Sequence, residues 1–297
     1  MAIYKTYEQI GLAEDVSNII SDITPTDTPM YSMIKAEKVH ARQYQYMTDT
    51  LASAASNAQL EGFTASAGTA IPTVMITGNT QILQKTFAVS ATADAVKAYG
   101  RAKETAYQLS KALKEIKKDV EFAFVGASNA TAAGDATTAR EMASADQLID
   151  ASVSTDQGAN ATDALTEAQM LVNMQAVYEA GGEPSVIMCK PADSLIISGF
   201  TGSAGRSREF NDGTTTLTNS VNLYISPFGE YRVTLNRHQM STHMFLLDPS
   251  MWRTAVLRPF KRTLLAKTGD SDTHMVVGEL GLMHKNPKGS GQITGLS

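Results

Sequence analysis

The chain has 297 residues, a formal net charge of −5 and a single cysteine, with 43% hydrophobic and 19% charged residues. This composition is typical of a globular protein that buries a core in two subdomains, and it excludes disordered and collagen-like chains. The negative charge argues against a protein whose main task is gripping nucleic acid, because such domains carry a basic excess. The lone cysteine excludes an intrachain disulfide and a four-thiolate zinc site.

Residues 1–45 are predicted to form an arm. A capping pair at Thr6 and Gln9 precedes a patchy amphipathic helix that ends before Pro25. Pro29 follows shortly, and the residue before each proline is biased towards extended geometry. An extended arm after a short helix suits a segment that lies across another chain. The first residues lack the basic segment and apolar core of an export signal, so we expect a protein made in a cytosol.

Residues 46–86 are unusually poor in charge. Between Arg42 and Lys85 only Asp49 and Glu61 are charged; small residues fill the middle, and a β-prone run brings the chain back. The pattern predicts a long hairpin with a flexible tip. A plain surface loop or a disordered insert is the alternative on composition alone.

The clearest helix is predicted at 101–124. Its charged residues lie away from the apolar stripe, and two pairs, Lys111–Glu115 and Lys117–Glu121, are four apart and are expected to meet in solvent. A coiled coil is the alternative, but the pattern lasts only about three heptads. The stripe recurs at spacings of four and three: Ala102, Ala106, Leu109, Leu113, Ile116, Val120 and Phe124.

Residues 162–200 are predicted to form a helix, a buried strand at 184–189 and a second helix that starts at Pro191. A loop-rich connection precedes this unit at 127–161. A hairpin with a proline turn is predicted at 221–235. The first helix of the unit is expected to bury one face, made of Leu165, Ala168, Val172 and Ala176.

The C-terminal block 243–297 contains the most distinctive pattern. It is a series of β-prone runs that includes Trp252, two prolines and regularly interposed arginines. This block, with the stretch Thr24–Met30, resembles the major capsid proteins of tailed bacteriophages, in the family typified by phage SU10. The resemblance covers most of the chain and is strongest at 18–47 and 243–297.

The resemblance implies an α+β protein with the Hong Kong 97-like capsid fold. The chain then divides into an N-terminal arm (1–45), an extended loop (46–86), a peripheral domain with a long spine helix (87–160) and an axial domain (161–242). Residues 243–297 would be C-terminal strands that return to the peripheral domain. In this fold the extended loop is a two-stranded finger that reaches over the adjacent subunit.

The resemblance also implies a function. The chain would assemble into hexamers and pentamers of an icosahedral shell that encloses double-stranded DNA in a virion, and it would assemble in the cytoplasm of the host bacterium. Expected partners are other copies, a separate scaffolding protein and a portal; a decoration protein is left open. Packaged DNA would be touched weakly and without specificity, and no membrane, cofactor, metal or catalytic residue is expected. A cytosolic serine hydrolase and a phage tail or sheath protein are the alternatives.

Two groups of residues are expected to serve assembly. On a regular strand Arg258 and Arg262 would share a face opposite Lys261. This basic cluster would make ion pairs between subunits, or form a lumenal surface that lightly touches DNA. The expected assembly residues are the loop-tip pair and the C-terminal basic cluster: Glu61, Phe63, Arg253, Arg258, Lys261 and Arg262.

The enzymatic alternative depends on two short motifs. Ser32 and Lys35 fit the Ser-x-x-Lys pattern of β-lactamases, and Lys267 opens a Lys-Thr-Gly sequence. The middle Ser-Asp-Asn element is missing, however, and Ser32 follows a proline-broken arm. Cys189 ends an apolar run and is expected to be a buried thiol rather than a nucleophile. The five histidines lack the spacing of a helical metal site.

The loop chemistry predicts a shell without covalent links. The Hong Kong 97 phage joins its subunits by isopeptide bonds from a lysine in the extended loop to an asparagine of a neighbour. Here no lysine lies between Lys38 and Lys85, and Lys85 belongs to the base of the loop. We also expect a mature chain that starts at or next to Met1, with a separate scaffolding protein.

Overall fold

The computed structural model describes residues 27–65, 68, 70–97, 103–157, 164–200, 223–267 and 269–296. Within these residues, strands form a four-stranded sheet, a six-stranded sheet and a separate two-stranded hairpin. The helices are α1 (Pro29–Met33), α2 (Ala91–Ala95), α3 (Glu104–Glu121), α4 (Ala145–Leu148), α5 (Glu167–Glu179) and α6 (Pro191–Gly199). The strands are β1 (Lys35–Lys38), β2 (Gln43–Thr48), β3 (Val74–Asn79), β4 (Gln81–Ser90), β5 (Ser154–Asp156), β6 (Val186–Cys189), β7 (Leu223–Ser226), β8 (Gly229–Leu235), β9 (Met244–Leu247), β10 (Trp252–Leu264), β11 (Ser271–His284) and β12 (Gly291–Thr294).

The four-stranded sheet supports the long helix α3. Its order is β1-β10-β11-β4, with β1 parallel to β10 and the other pairs antiparallel. Ile116 and Val120 of α3 share a buried cluster with Val276 and Leu280 of β11. Burial of large aliphatic side chains contributes about 1.5–3 kcal/mol each, so this contact fixes the helix along one face of the sheet.

The six-stranded sheet is covered on both faces. Its order is β5-β12-β9-β6-β8-β7. On one face Ile187 of β6 packs in a cluster with Met170 of α5 and Ile197 of α6. On the other face Met188 belongs to the cluster that also holds Phe124, in the π-type turn that follows α3. A strand buried on both faces has to be apolar throughout, and this explains the uninterrupted apolar run of β6.

The predicted long helix is confirmed as α3, inside the expected 101–124, of which residues 101 and 102 lie outside the described residues. A π-type turn at Phe122–Gly126 continues it. The C-terminal half of the stripe is buried, with Ile116 and Val120 in the core, whereas Leu113 is 41% exposed.

The predicted face of α5 is wrong. Val172 is 55% exposed, and the helix instead buries Met170, Asn173, Met174 and Val177. The reason is the polar Asn173, whose amide donates to Val153 O, Thr155 Oγ1 and Gln292 O, each at 2.9 Å. An amide whose N–H₂ group is bonded in this way can occupy a core position, which a purely apolar pattern does not reveal; its Oδ1 has no hydrogen-bond partner among the described residues.

Several other predicted elements are confirmed. β6 and α6 follow the expected order, with Pro191 at the first turn of α6, and β7 and β8 form the expected hairpin. The arm prediction falls mainly on residues 1–26, outside the described residues. The C-terminal block 243–297 contributes β10 and β11 to the four-stranded sheet but β9 and β12 to the six-stranded sheet. The division into domains therefore stays a prediction.

No helix in the described part of the chain is both long and apolar enough to cross a membrane. Among those same residues, no group of three or more His, Cys, Asp or Glu side chains is arranged to hold a metal ion.

Candidate assembly surfaces

The hairpin β2–β3 and the loop that joins its strands form a largely exposed apolar segment in the described part of the chain. The two strands pair antiparallel from Gln43 opposite Asn79 to Thr48 opposite Val74. Beyond them the described loop residues contain no regular element. Large exposed apolar surfaces of this kind mark interaction sites. The hairpin and its loop expose seven large apolar side chains: Met47, Leu51, Leu60, Phe63, Ile71, Val74 and Met75.

The base of this hairpin is fixed to the body by Tyr44. Its buried hydroxyl donates to Leu282 O at 2.6 Å. The ring lies so close to Gly78 and Gly281 that a Cβ at either position would meet it at under 3.0 Å. Because glycine has no Cβ, Gly78 of β3 and Gly281 of β11 leave room for the Tyr44 ring to pack against both strands. This anchor sets where the hairpin leaves the body, while its tip remains uncovered.

The predicted loop-tip residues lie in the exposed part of this segment. Glu61 is in a turn, with Phe63 N donating to Leu60 O at 3.1 Å, and Phe63 is 59% exposed. Among the residues that the structure describes, no hydrogen bond or ion pair joins them to the predicted basic cluster.

Arg258 belongs to a buried charge cluster around Glu279. The Glu279 carboxylate accepts from Arg140 at 2.6 Å, from Arg258 Nε at 2.9 Å and from Thr80 Oγ1 at 2.8 Å. Its side chain is only 4% exposed, so it needs all these partners to offset the loss of hydration. Thr80 lies between β3 and β4, where the hairpin joins the body. Sequence reasoning missed Glu279 and Arg140, because their separation in the chain hides the contact.

The predicted faces of the basic cluster are wrong. β10 pairs Arg258 with Glu279, Lys261 with Val277 and Arg262 with Val276, with irregularities on both sides of Arg258. Glu279 and Val277 lie on one face of β11, so Arg258 and Lys261 share that face and Arg262 points to the other. The bulge between Arg258 and Lys261 adds a residue and reverses the alternation that a regular strand would keep.

The remaining residues of the predicted basic cluster differ in their contacts. Arg253 donates to Ser250 O at 2.7 Å and to Trp252 O at 2.6 Å, so its guanidinium is engaged inside the subunit. Lys261 and Arg262 are exposed. In the described ranges neither is part of an ion pair. The four residues therefore do not act as one patch.

Glu121 forms a junction of three parts of the chain that the sequence did not predict. Its carboxylate accepts from the backbone N–H of Met30 at 2.8 Å, from that of Tyr31 at 2.9 Å and from Asn236 Nδ2 at 2.6 Å. The residue is fully buried. It therefore joins the start of α1, the end of α3 and the segment that follows β8. We call this group the arm–spine junction.

The expected solvent pair Lys117–Glu121 is thus wrong. Burial raises the pKa of Glu121, against the lowering effect of the hydrogen bonds from Tyr31, Met30 and Asn236. One signal was available: an acidic residue in the last turn of a helix opposes the helix dipole and needs another partner. Here the partners are the free N–H groups at the start of α1, which lack a side-chain cap from Thr28.

The residues weighed for the enzymatic alternative lie in different parts of the fold. Ser32 lies in α1 and Lys35 in β1, whereas Lys267 forms an ion pair with Asp272 at 3.1 Å. Cys189 is buried, and burial together with the nearby charge of Asp193 raises the pKa of its thiol to about 12. A thiol with such a pKa stays protonated and uncharged at neutral pH. Cys189 therefore behaves as a small buried hydrophobic residue.

His284 is a second buried titratable group, at the end of β11. Its ring stacks on Trp252 with centroids 4.0 Å apart, and Nδ1 donates to Leu148 O at 3.2 Å. Burial is the main cause that lowers the pKa of His284 to about 4, against the raising effect of that hydrogen bond. The imidazole is therefore neutral in the folded subunit at neutral pH.

We predict that this histidine makes the subunit less stable in mild acid. The unfolded chain binds the proton near pH 6.5 and the folded chain only near pH 4, so folding stability falls as the pH drops through this window, by roughly 3 kcal/mol. The free energy of unfolding, measured with urea from pH 7 to pH 4, should lose much of this slope in His284→Phe. The exposed His40→Gln variant should keep it. An unchanged slope in His284→Phe would contradict the assignment.

Comparison with known proteins agrees with this architecture. A family model described as SU10 major capsid protein matches residues 2–297. The major capsid protein of Escherichia phage Phieco32 is 32% identical, over 97% of this chain and 96% of that protein.

Solved structures show the same fold at low identity. The capsid of a native GTA particle matches with a TM-score of 0.68 at 9% identity, covering 98% of both chains. A chain from Mycobacterium phage Adephagia matches with a TM-score of 0.63 at 13% identity, covering 99% of this chain and 98% of that one. A Phage G structure of major capsid and decoration proteins matches with a TM-score of 0.60 at 8% identity, covering 99% and 100%.

These neighbours share the Hong Kong 97-like capsid fold, and the mixture of helices and strands confirms the α+β class. The matches give no support to the serine hydrolase alternative. The chain therefore belongs to the SU10 major capsid protein family and is a major capsid protein of a tailed bacteriophage.

Proposed function

We propose that this capsid protein assembles as hexamers and pentamers into an icosahedral shell around double-stranded DNA, without covalent links and without catalysis. The observation that carries this proposal is the hairpin β2–β3. Its base is locked by Tyr44, whereas its apolar side chains are left exposed. Such a finger gains stability by lying on a neighbouring copy, because burial of that apolar surface is favourable.

We assign the parts of the subunit to roles in this shell. Residues 1–45 and 46–86 are the arm and the extended loop that overlap neighbours. Residues 87–160, with α3, form the peripheral domain, and 161–242 form the axial domain, while 243–297 supply strands to both sheets. The arm–spine junction supports this division, because Glu121 ties the described end of the arm to the helix of the peripheral domain.

We propose different tasks for the predicted assembly residues. Glu61 and Phe63 are exposed at the tip of the extended loop and are available to a neighbouring subunit. Lys261 and Arg262 are exposed on opposite faces of the four-stranded sheet and are available for contacts between subunits. Arg253 and Arg258 act mainly inside the subunit, although the side chain of Arg258 is still 56% exposed.

The partners follow from the same function. We propose a separate scaffolding protein and a portal during assembly in the cytoplasm of the host bacterium, and a weak, non-specific contact with packaged DNA in the virion. The Phage G structure contains decoration proteins beside its capsid proteins, which supports keeping a decoration protein among the candidate partners.

The absence of crosslinks is directly testable. No lysine lies in the loop between Lys38 and Lys85, and Lys85 forms an ion pair with Asp119 of α3 at 3.0 Å. The amine that HK97-type crosslinking would require is therefore absent from the loop tip, and the one at its base is engaged in an ion pair inside the subunit.

We predict that boiled, reduced virions give one capsid band near 31.8 kDa on a denaturing gel. Replacing Lys85 with Gln should leave this band unchanged. A ladder of multimers that survives boiling and reductant would refute the non-covalent shell.

A further inference from the structure

Helix α5 is uncharged around its whole circumference. Between Glu167 and Glu179, its first and last residues, no residue is charged. One side of the helix, with Met170 and Met174, is buried against the six-stranded sheet. Val172 lies on the opposite side and is 55% exposed. A helix without a charged side is normally covered on all sides, so the exposed side of α5 indicates a covering surface outside the subunit.

The exposed side of α5 is the stripe that the sequence pattern predicts to be buried. Leu165 precedes the helix and is buried, whereas Ala168 and Val172 are exposed and Ala176 is partly exposed. Tyr178, on the flank of this side, is 59% exposed. An apolar stripe indicates burial, and the covering surface need not belong to the same chain. We call Ala168, Val172 and Tyr178 the α5 surface.

A second apolar surface lies on the other side of the same sheet. At β6 both faces of the sheet are covered, but at the outer strands β7 and β8 the face turned away from α5 is open. Tyr224 and Tyr231 are paired and buried on the α5 side, so Leu223 and Ile225 point the other way. They are 52% and 68% exposed. A sheet face that carries such residues is normally packed against another layer. We call Leu223 and Ile225 the β7 surface.

The charges beside the two surfaces are of opposite sign. Arg232 is paired with Leu223 across the strands and is exposed, while Glu230 lies next to the turn that joins β7 and β8. Glu179, the acid at the end of the α5 surface, is also exposed. In the described ranges neither Arg232 nor Glu179 is part of an ion pair. An apolar centre with charged groups at the rim is typical of an interface between proteins.

The placement of the two surfaces favours a head-to-tail contact. They lie on opposite sides of one sheet and point in opposite directions, so they cannot meet within a subunit. One copy can present its α5 surface to the β7 surface of the next copy and still offer its own β7 surface to a third. A contact between two different surfaces, repeated from copy to copy, closes into a ring when the rotation per copy allows it.

We propose that the α5 surface of each subunit packs on the β7 surface of the next subunit, with Glu179 of one copy close to Arg232 of the other. This inference rests on the proposed function, because it takes the resulting rings to be the hexamers and pentamers of the shell. The partner of both surfaces is a second copy of this chain. Burial of Val172, Leu223 and Ile225 at this contact would stabilise the ring.

The test is chemical crosslinking of assembled particles of the full-length protein. Cys189, the single cysteine, is buried, so a flexible bis-maleimide reagent that is quenched before denaturation reaches only introduced thiols. The double variant V172C/I225C places one thiol on each surface, and the reagent should link neighbouring copies head to tail. A denaturing gel should then show a ladder that ends at five and six subunits. Either substitution alone should give only the monomer band.

A matched control, A136C/I225C, moves one thiol to an exposed position outside both surfaces and should give no ladder. The inference is overturned if V172C/I225C links no better than this control, or if a single variant forms dimers, since like surfaces would then meet. A crosslinked band that contains a different protein would overturn it too. Electron micrographs of the same particles report the proposed function separately, because closed particles without head-to-tail links refute only this contact.

A second variant tests the contact without a reagent. A168E/V172E places two charges on the α5 surface at exposed positions, and glutamate is a good helix former, so the melting curve should not fall. Closed particles should be lost, because the charges would have to be buried between copies. The control A136E/A139E, at two exposed positions outside both surfaces, should assemble. Normal particles from A168E/V172E would contradict the inference.

Discussion

Replacing Glu121 with Ala should destabilise the subunit by about 3 kcal/mol or more. The change leaves two backbone N–H groups, of Met30 and Tyr31, and the amide of Asn236 without their buried acceptor. Each buried donor left unsatisfied costs about 1–3 kcal/mol. The free energy of unfolding from urea titration measures the loss, and proteolysis near residue 30 should become faster because the base of the arm is released.

Two further variants serve as comparisons for the Glu121→Ala prediction. Glu121→Gln keeps an acceptor oxygen but sets an N–H₂ group against one donor. Its free energy of unfolding should therefore lie between that of the unchanged protein and that of Glu121→Ala. Glu115→Ala removes an acid from the same helix without removing a buried bond, and it should change stability by no more than about 0.5 kcal/mol. If Glu121→Ala proves as stable as Glu115→Ala, the junction does not hold the arm.

Deletion of residues 50–72 should abolish shell formation while leaving a folded subunit. The deletion joins the chain just beyond Thr48 and just before Val74, the last pair of the hairpin. It removes Leu51, Leu60, Phe63 and other exposed apolar residues that contribute nothing to the buried cores. We expect a melting temperature within about 4 °C of the full-length subunit and no closed particles in electron micrographs.

The control for this deletion keeps the length of the loop. The double substitution Ala54→Ser and Ala55→Ser alters its small residues only and should assemble normally. Normal shells from the deletion variant would show that the extended loop is dispensable. An unfolded deletion variant would contradict the account as well, because the loop would then be part of the core.

Local patterns were enough to predict the elements that carry strong periodicity. The four-three stripe placed α3, the apolar run placed β6, and the composition of residues 46–86 indicated a long hairpin, whose paired strands are β2 and β3. Each of these depends on contacts that repeat along a single element, so the sequence of that element contains the information.

The features that escaped prediction depend on residues far apart in the chain. Glu121 is buried because α1 and Asn236 supply three donors, from positions about a hundred residues away on either side. The bulge beside Arg258 reverses the faces of the basic cluster, and a bulge adds a residue without leaving a periodic signal. Asn173 lies on the buried face of α5 because three acceptors outside this helix bind the N–H₂ group of its amide. In each case the decisive partner belongs to another element.

The most direct test of the whole account is electron microscopy of the purified full-length protein after assembly, alone and with the proposed scaffolding protein. The account predicts closed isometric particles built of hexamers and pentamers, with the hairpin β2–β3 of each subunit lying on its neighbour. Tubes would indicate a tail or sheath protein, and a small discrete oligomer with no particles would contradict the proposed shell.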